Sequence, residues 1–188
     1  MKRLACAVLG LLTLAGCASP APPPAPAAPA VEPGRGFNAA DVMFLQMMVP
    51  HHEQGLTLVR LARDRASRAD LRTLAAAIEA TQTDEVRTMS SWLRDWRQPP
   101  TAPPGAHQDH GGMPDTTAGE IATLGRITGP DFDRRFLNVM ISHQDDAIQL
   151  AKLETTTGQH PQAKALAARI DRSRSAQITQ MLKLLDGG

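Results

Sequence analysis

The sequence predicts an all-α fold, a ferritin-like four-helix bundle made of two duplicated αα-hairpins. Helix-favouring residues such as Ala, Leu, Arg and Gln dominate the body, whereas aromatic residues make up only 3% of the chain. Apolar residues recur at helical spacing in four long segments that are bounded by capping residues, Gly or Pro. The two halves of the body also match without a gap, from Asp41 to Asp133, at an offset of 92 residues.

The first helix is predicted over residues 39–65. Asn38 followed by Asp41 is a capping box at its start. Its apolar stripe includes Met48. Pro50 has no backbone N–H, so we expect it to kink the helix and to free one backbone carbonyl.

Three long helices and one short helix are predicted after the first. Their starts are marked by Ser67 with Asp70, by the capping box Thr117 with Glu120, by Gly129-Pro130 and by Pro161. Their predicted spans are about 67–96, 117–127, 129–157 and 161–186. The segment that joins the two hairpins is long enough for a crossover connection, which favours a bundle of the ferritin-like kind.

The N-terminus has the features of a bacterial lipoprotein signal. Lys2 and Arg3 precede an apolar segment, and Leu-Ala-Gly-Cys ends at Cys17, the predicted site of lipidation. A Pro/Ala-rich stretch follows, which we expect to be an extended tether of at most roughly 60 Å. The predicted organisation is a signal peptide at 1–16, the lipidated Cys and linker at 17–36, and a bundle domain at 37–188 with repeats 41–93 and 133–185.

Composition argues against a nucleic-acid partner and limits the possible metal ligands. Lys and Arg total 20 and Asp and Glu total 19, so no basic field exists to hold nucleic acid. Both cysteines, Cys6 and Cys17, lie in the first seventeen residues. The folded body therefore has no disulfide and no thiolate ligand, and a soft-metal site there must use Met and His.

The stretch 47–53, Met-Met-Val-Pro-His-His-Glu, brings thioether sulfurs and imidazole nitrogens within two helical turns. Residues three or four apart share a helix face, as Met48 and His51 do. Thioether and imidazole together select Cu(I), or Ag(I) as its mimic, over Zn(II). The sequence therefore predicts a metal site, most simply for copper.

The repeat strengthens this prediction for four residues. It pairs Met48 with Met140 and His51 with His143. Matched Leu, Ile and Phe residues need only core packing, but His is a poor core residue without a partner. We expect these four side chains to point inward, with room left beside the imidazoles by the small Gly55.

Other donors are weaker predictions. They comprise Met47, Glu53, His107, His110 and Met113. The loop that carries the last three could capture Cu(II), but a solvated linker is slightly favoured. Met47 is more simply core filler. Glu53 is either exposed or a partner that orients a His, and His52 could face solvent.

Three motifs resemble those of a known bacterial family. They are Asp41-x-x-Phe44-x-x-x-Met48-Val-Pro-His51-His52, Gln82-x-x-Glu85-x-x-x-Met89-x-x-Trp92-Leu93 and Phe132-Asp133-x-x-Phe136-Leu137-x-x-Met140-Ile-x-His143. The chain is similar over residues 38–186 to the extracytoplasmic group known as domain-of-unknown-function family 305. The resemblance implies a ferritin-like fold and, as in several members, periplasmic copper binding through Met and His. The ligands it implies are Met48, His51, His52, Met140 and His143.

The sequence departs from the family pattern at one position. Gln144 follows His143, where members often carry a second His, and an amide is a poor copper ligand. The departure favours a single site, or one strong and one weak site, over two equal sites. His52 is a weaker ligand candidate than His51 for the same reason, because Gln144 is its repeat partner.

The predicted function is that of a lipid-anchored, extracytoplasmic protein that sequesters or transfers copper. Its expected partners are the membrane, through the N-terminal lipid, and metal donor or acceptor proteins. We predict binding and not catalysis, since the sequence has no Glu-x-x-His pair, no nucleophile motif and no glycine-rich phosphate loop.

Two alternatives remain at this point. In one, the chain is a non-metal interaction or scaffold module of the cell envelope, and the His layer fixes helix register or responds to pH. In the other, a redox or metal-storage role follows from analogy with the ferritin-like fold alone.

Overall fold

The computed structural model describes residues 36–102 and 116–187. In these ranges the secondary structure is helical, without strands. The helices are α1 (Ala39–Arg65), α2 (Ala69–Asp95), α3 (Ala118–Leu124), α4 (Gly129–Thr157) and α5 (Pro161–Asp186). The predicted signal peptide, Cys17 and most of the tether lie outside the described residues, as do His107, His110 and Met113.

The helix boundaries largely confirm the sequence prediction. The capping box of Asn38 and Asp41 starts α1, which continues through Pro50 as one helix. The start of α2 was predicted wrongly. Arg68 is its N-cap without a side-chain cap bond, because the Ser67 hydroxyl is engaged by Asp133 of α4 instead. The short helix α3 ends at Leu124, earlier than expected.

Two apolar clusters fill the two ends of the bundle. The first core cluster joins the C-terminal half of α1 to the N-terminal halves of α2 and α4, and includes Met181 of α5. The second core cluster joins the N-terminal halves of α1 and α5 to the C-terminal halves of α2 and α4. Hence α1 and α5 run antiparallel to α2 and α4. The connection from α2 to α4 is the predicted crossover, since it must return along the bundle between two parallel helices.

Matched aspartates hold the two hairpins together. Asp133 accepts hydrogen bonds from the backbone N–H (2.9 Å) and the hydroxyl (2.5 Å) of Ser67, in the turn between α1 and α2. Asp41 accepts hydrogen bonds from the backbone N–H groups of Gln159 (3.1 Å) and His160 (2.9 Å), in the turn between α4 and α5. Each half therefore fixes the turn of the other half, as expected for a duplicated hairpin with pseudo-twofold symmetry.

Candidate metal centre

A layer of polar side chains crosses the middle of the bundle. On each long helix it falls between residues of the two apolar clusters. We call it the central polar layer, and it consists of His51 and His52 (α1), Gln82 and Glu85 (α2), His143 and Gln144 (α4), and Arg174 and Gln177 (α5). All of these residues except the half-buried Gln177 are buried.

The imidazoles of His51 and His143 form the centre of the layer. Their rings are stacked, with centroids 3.8 Å apart and planes inclined by 7°. Within residues 36–102 and 116–187, none of their four ring nitrogens has a hydrogen-bond partner. A buried polar atom without a partner costs about 1–3 kcal/mol, so the fold tolerates a substantial penalty at this point.

Both central imidazoles are held in the neutral form. Burial lowers the pKa of His51 well below its ordinary value, and the nearby His143, His52 and Arg174 lower that pKa further, against the opposing effect of the His143 backbone. Burial, with His52 and Arg174, lowers the pKa of His143 to about 3. A neutral imidazole keeps one nitrogen lone pair, which is the form that ligates metals.

Gly55 leaves space beside the stack, as the sequence predicted. A Cβ at Gly55 would lie 2.8 Å from His143 Nε2 and closer still to the Gln82 side-chain oxygen. The amide of Gln82 is itself fully buried, and neither its oxygen nor its nitrogen has a partner among the described residues. Unpaired donors and acceptors therefore extend from the His pair to α2.

His52 is fully buried, which corrects the expectation that it could face solvent. Its Nε2 lies 2.8 Å from Glu85 Oε2, while Glu53 is exposed and is not the partner of a His. If Nε2 carries the proton that it donates to Glu85, the lone pair is on Nδ1. That nitrogen has no partner in the part of the chain that the structure describes. A carboxylate that fixes a tautomer in this way is typical of metal-binding His residues.

Arg174 completes this half of the layer. Its guanidinium contacts the Glu85 carboxylate and lies 3.1 Å from His52 Nε2. Burial opposes the charged form of Glu85, but the hydrogen bond from His52 and the charge of Arg174 outweigh it and lower the Glu85 pKa. Burial also lowers the pKa of His52, because it outweighs the attraction of Glu85. The layer therefore contains one cation, one anion and three neutral imidazoles.

The repeat-related half of the layer is uncharged. Gln144 and Gln177 occupy the positions of His52 and Glu85, and the Gln144 side-chain nitrogen donates to the Gln177 side-chain oxygen at 2.5 Å. The repeat likewise pairs Gln82 with Arg174. The pseudo-twofold axis thus relates two chemically different halves.

The two predicted thioether ligands flank the layer from opposite sides. Met48 belongs to the second core cluster and Met140 to the first, and both are fully buried. Each lies three residues before a central His, so it is one helical turn away on the same face. Met47 is only half-buried and packs against the second core cluster, which suits its interpretation as core filler.

These donors fit a soft ion better than a hard one. In the described residues, no group of three or more His, Cys, Asp and Glu side chains is arranged to hold a metal. The available donors are neutral imidazoles and thioethers, which suit Cu(I) and Ag(I). Because stacked rings direct their lone pairs side by side, ligation of one ion by both His51 and His143 requires one ring to rotate.

The crossover is attached to α1 next to the layer. The Gln54 side chain exchanges two hydrogen bonds with the backbone of Thr116, at 3.0 and 3.1 Å. Residue 116 is therefore held near His51. The loop donors His107, His110 and Met113 precede that point and lie outside the described residues.

The comparisons with known proteins decide the family. A family model described as "Domain of unknown function (DUF305)" matches residues 41–185. The chain belongs to the DUF305 family. No curated protein matches its sequence. None of the helices in the described ranges of this DUF305 protein has the length and apolarity that a membrane span needs.

Solved structures of DUF305 proteins share the fold. One, described as secreted, is from Streptomyces coelicolor: it is 29% identical with a TM-score of 0.75, and the match covers 79% of this chain and 93% of that one. A fragment from Deinococcus radiodurans is 27% identical with a TM-score of 0.72, covering 80% and 98%. The predicted ferritin-like helical fold is confirmed.

CopM is a further structural relative. Its Cu(II)-bound form is 33% identical to this chain with a TM-score of 0.66, and the match covers 78% of this chain and 96% of CopM. Cu(I)-bound and Ag-bound forms of CopM also match.

Sequence reasoning missed Arg174 and the roles of Gln82 and Glu85 in the layer. The signal was present in the repeat, which pairs Gln82 with Arg174 and Glu85 with Gln177. Polar residues at matched positions on all four long helices indicate a polar layer. An Arg on an amphipathic helix, however, is usually a surface residue, so its burial was not expected.

Proposed function

We propose that this DUF305 protein binds copper, preferably as Cu(I), in the central polar layer, and that it sequesters or transfers the metal without catalysing a reaction. The observation that carries the proposal is the stacked pair His51 and His143 in the middle of the bundle, whose four ring nitrogens have no hydrogen-bond partner among the described residues. The copper- and silver-bound forms of CopM support the choice of metal.

The proposed ligands are His51, His143 and the thioethers of Met48 and Met140. His52 would add its Nδ1, oriented by Glu85. In this proposal the bound copper ion does not take part in a catalysed reaction. The chain's part is to hold neutral soft donors out of water, because burial of the site excludes competing water ligands. His107, His110 and Met113 are weaker proposals for a capture loop.

Anaerobic titration with Cu(I) against a chromogenic chelator tests this proposal. We expect tight binding by the wild-type protein, and loss of that binding in a variant that combines M48L, H51L, M140L and H143L. The matched control is M89L with M181L, a second repeat-related pair of fully buried Met residues, one in each apolar cluster. Equal Cu(I) affinity in the four-residue variant and the wild type would sink the proposal.

We also propose that lipid on Cys17 anchors the protein at an extracytoplasmic membrane face. The lipobox-like Leu-Ala-Gly-Cys sequence supports this location. Membrane fractionation of the C17A variant tests it. We expect the variant to leave the membrane fraction, and its retention there would contradict lipid anchoring.

The scaffold alternative has one observation in its favour. His52, Glu85 and Arg174 form an internally paired polar network, which could fix helix register without any metal. That role does not account for His51 and His143, which lack partners among the described residues. A structural His layer would form hydrogen bonds, so the metal proposal explains the central pair better.

A further inference from the structure

Arg174 is a fully buried cation at the level of the proposed metal site. It has 0% exposure and is the largest of the completely buried side chains. Its guanidinium contacts Glu85 and lies 3.1 Å from His52 Nε2. Its Nε has no hydrogen-bond partner within the described ranges. A cation placed this deeply is costly even when it is paired, so its position in the layer calls for an explanation.

The charges of the layer cancel without a metal. Arg174 and Glu85 are in contact and contribute opposite charges, and the remaining members are imidazoles and amides, which carry no anionic group. The layer therefore has no free anionic ligand that could neutralise an added metal ion. The cost of burying an ion in a low dielectric grows with the square of its charge, so it is about four times larger for a divalent ion than for a monovalent one.

Arg174 also acts on the layer by charge. Its fully buried guanidinium lies 3.1 Å from Nε2 of His52, a proposed ligand, so its field is weakly screened there. The same field repels a metal cation, and the repulsion doubles for a divalent ion. The repeat-related position holds Gln82, which carries no charge, so this repulsion comes from one half of the layer only.

We propose that Arg174 is a specificity-determining residue that restricts the central polar layer to one monovalent soft cation. Its guanidinium engages the only carboxylate of the layer and repels divalent ions and a second monovalent ion. This inference rests on the proposed metal-binding function and adds to it the residue that sets charge selectivity and stoichiometry.

The test compares Ag(I) with Zn(II) in calorimetric titration and native mass spectrometry. A background with H107A, H110A and M113L removes the loop donors, so that bound ions are counted in the bundle. We expect the parent protein to bind one Ag(I) and to bind Zn(II) at least about a hundredfold more weakly. If the parent protein, with Arg174 in place, bound two Ag(I) ions in the bundle or bound Ag(I) and Zn(II) with comparable affinity, the inference would be overturned.

The deciding variant is R174Q, because the repeat-related position in the first half of the chain is Gln82. We expect its preference for Ag(I) over Zn(II) to fall at least about tenfold, because the repulsion is lost and the Glu85 carboxylate is freed. R174K retains the charge and should keep the parent preference, which a merely structural role for Arg174 would not require. An unchanged Ag(I)/Zn(II) ratio in folded R174Q refutes the inference alone, whereas absence of Ag(I) binding by the parent refutes the metal proposal as well.

Discussion

Gly55 on α1 faces His143 on α4, and the missing Cβ is what makes room for that imidazole. A Cβ at this position would lie 2.8 Å from His143 Nε2, inside normal van der Waals contact. Glycine in a helix interior costs roughly 0.5–1 kcal/mol relative to Ala. Its position against a proposed ligand suggests that space for the His ring, and for its rotation out of the stack, outweighs helix propensity here.

We expect G55A to weaken Ag(I) binding at least about tenfold and to lower stability by about 1–3 kcal/mol, because the added methyl group overpacks the layer. Calorimetric titration and urea unfolding measure the two effects. The control is G119A in α3, where a Cβ would meet its nearest neighbour, Thr117 Oγ1, at 3.8 Å. An unaltered Ag(I) affinity in G55A would show that the space beside His143 is not needed for binding.

Replacement of both central imidazoles distinguishes a metal site from a structural His layer. The double variant H51L/H143L removes the four ring nitrogens, which have no partner in the described part of the chain, and keeps a similar side-chain volume. We expect the metal-free protein to be as stable as the wild type or more stable, by up to about 2 kcal/mol, since unpaired buried polar groups are lost. Stabilisation by Ag(I), measured as the shift in melting temperature, should disappear. A clear loss of metal-free stability would instead favour a structural role for the pair.

Asp133 should contribute to stability through the turn that it clamps. D133A removes the acceptor for the backbone N–H and hydroxyl of Ser67 and for the backbone N–H of Arg68. We expect a loss of about 1–3 kcal/mol in urea unfolding, at the lower end if water replaces the carboxylate at the exposed turn. S67A removes one of these bonds and should cost less. Equal losses in the two variants would mean that the backbone contacts contribute nothing.

The fold could be predicted from the sequence because the features that specify it are local and occur in both halves of the chain. Capping at Asn38, helical periodicity and the 92-residue repeat specify four long helices and the inward face of His51 and His143, and capping at Thr117 specifies the short helix α3. The start of α2 was misjudged because Ser67 bonds to Asp133 in another hairpin. That long-range contact replaces the expected capping bond, and the local sequence pattern does not reveal it.

The site was only partly predictable because its charged half is assembled from distant residues. Glu85 is 33 residues from His52, and Arg174 is 122 residues from His52. Because Glu53 is adjacent to His52 in sequence, local spacing allowed it to be the partner of a His. Its position on the helix directs it to solvent instead. Packing of α2 and α5 across the bundle decides which carboxylate reaches the imidazole, and that packing is not encoded in either helix alone.

Glu154 of α4 is a further buried titratable group, and its carboxyl lies beside that of Asp41. The repeat places Ala62 at the corresponding position in the other half, so the carboxyl pair is present once. Burial, together with a hydrogen bond to the Asp41 carboxylate and its negative charge, raises the pKa of Glu154 to about 9, although Lys164 opposes the shift. The folded protein therefore keeps a proton on Glu154 that the unfolded chain releases above about pH 4.5.

The free energy of unfolding should consequently fall as pH rises between about 4.5 and 9, by at most about 1.4 kcal/mol per pH unit from this group. The amide of E154Q is neutral at every pH, so the variant should be nearly as stable as the wild type at pH 4.5 and more stable than it at pH 8, by up to about 5 kcal/mol. Urea unfolding at the two pH values measures the difference, with the exposed E53Q as a control that keeps the wild-type slope. If E154Q lost stability with pH as steeply as the wild type, the proton would reside on another group.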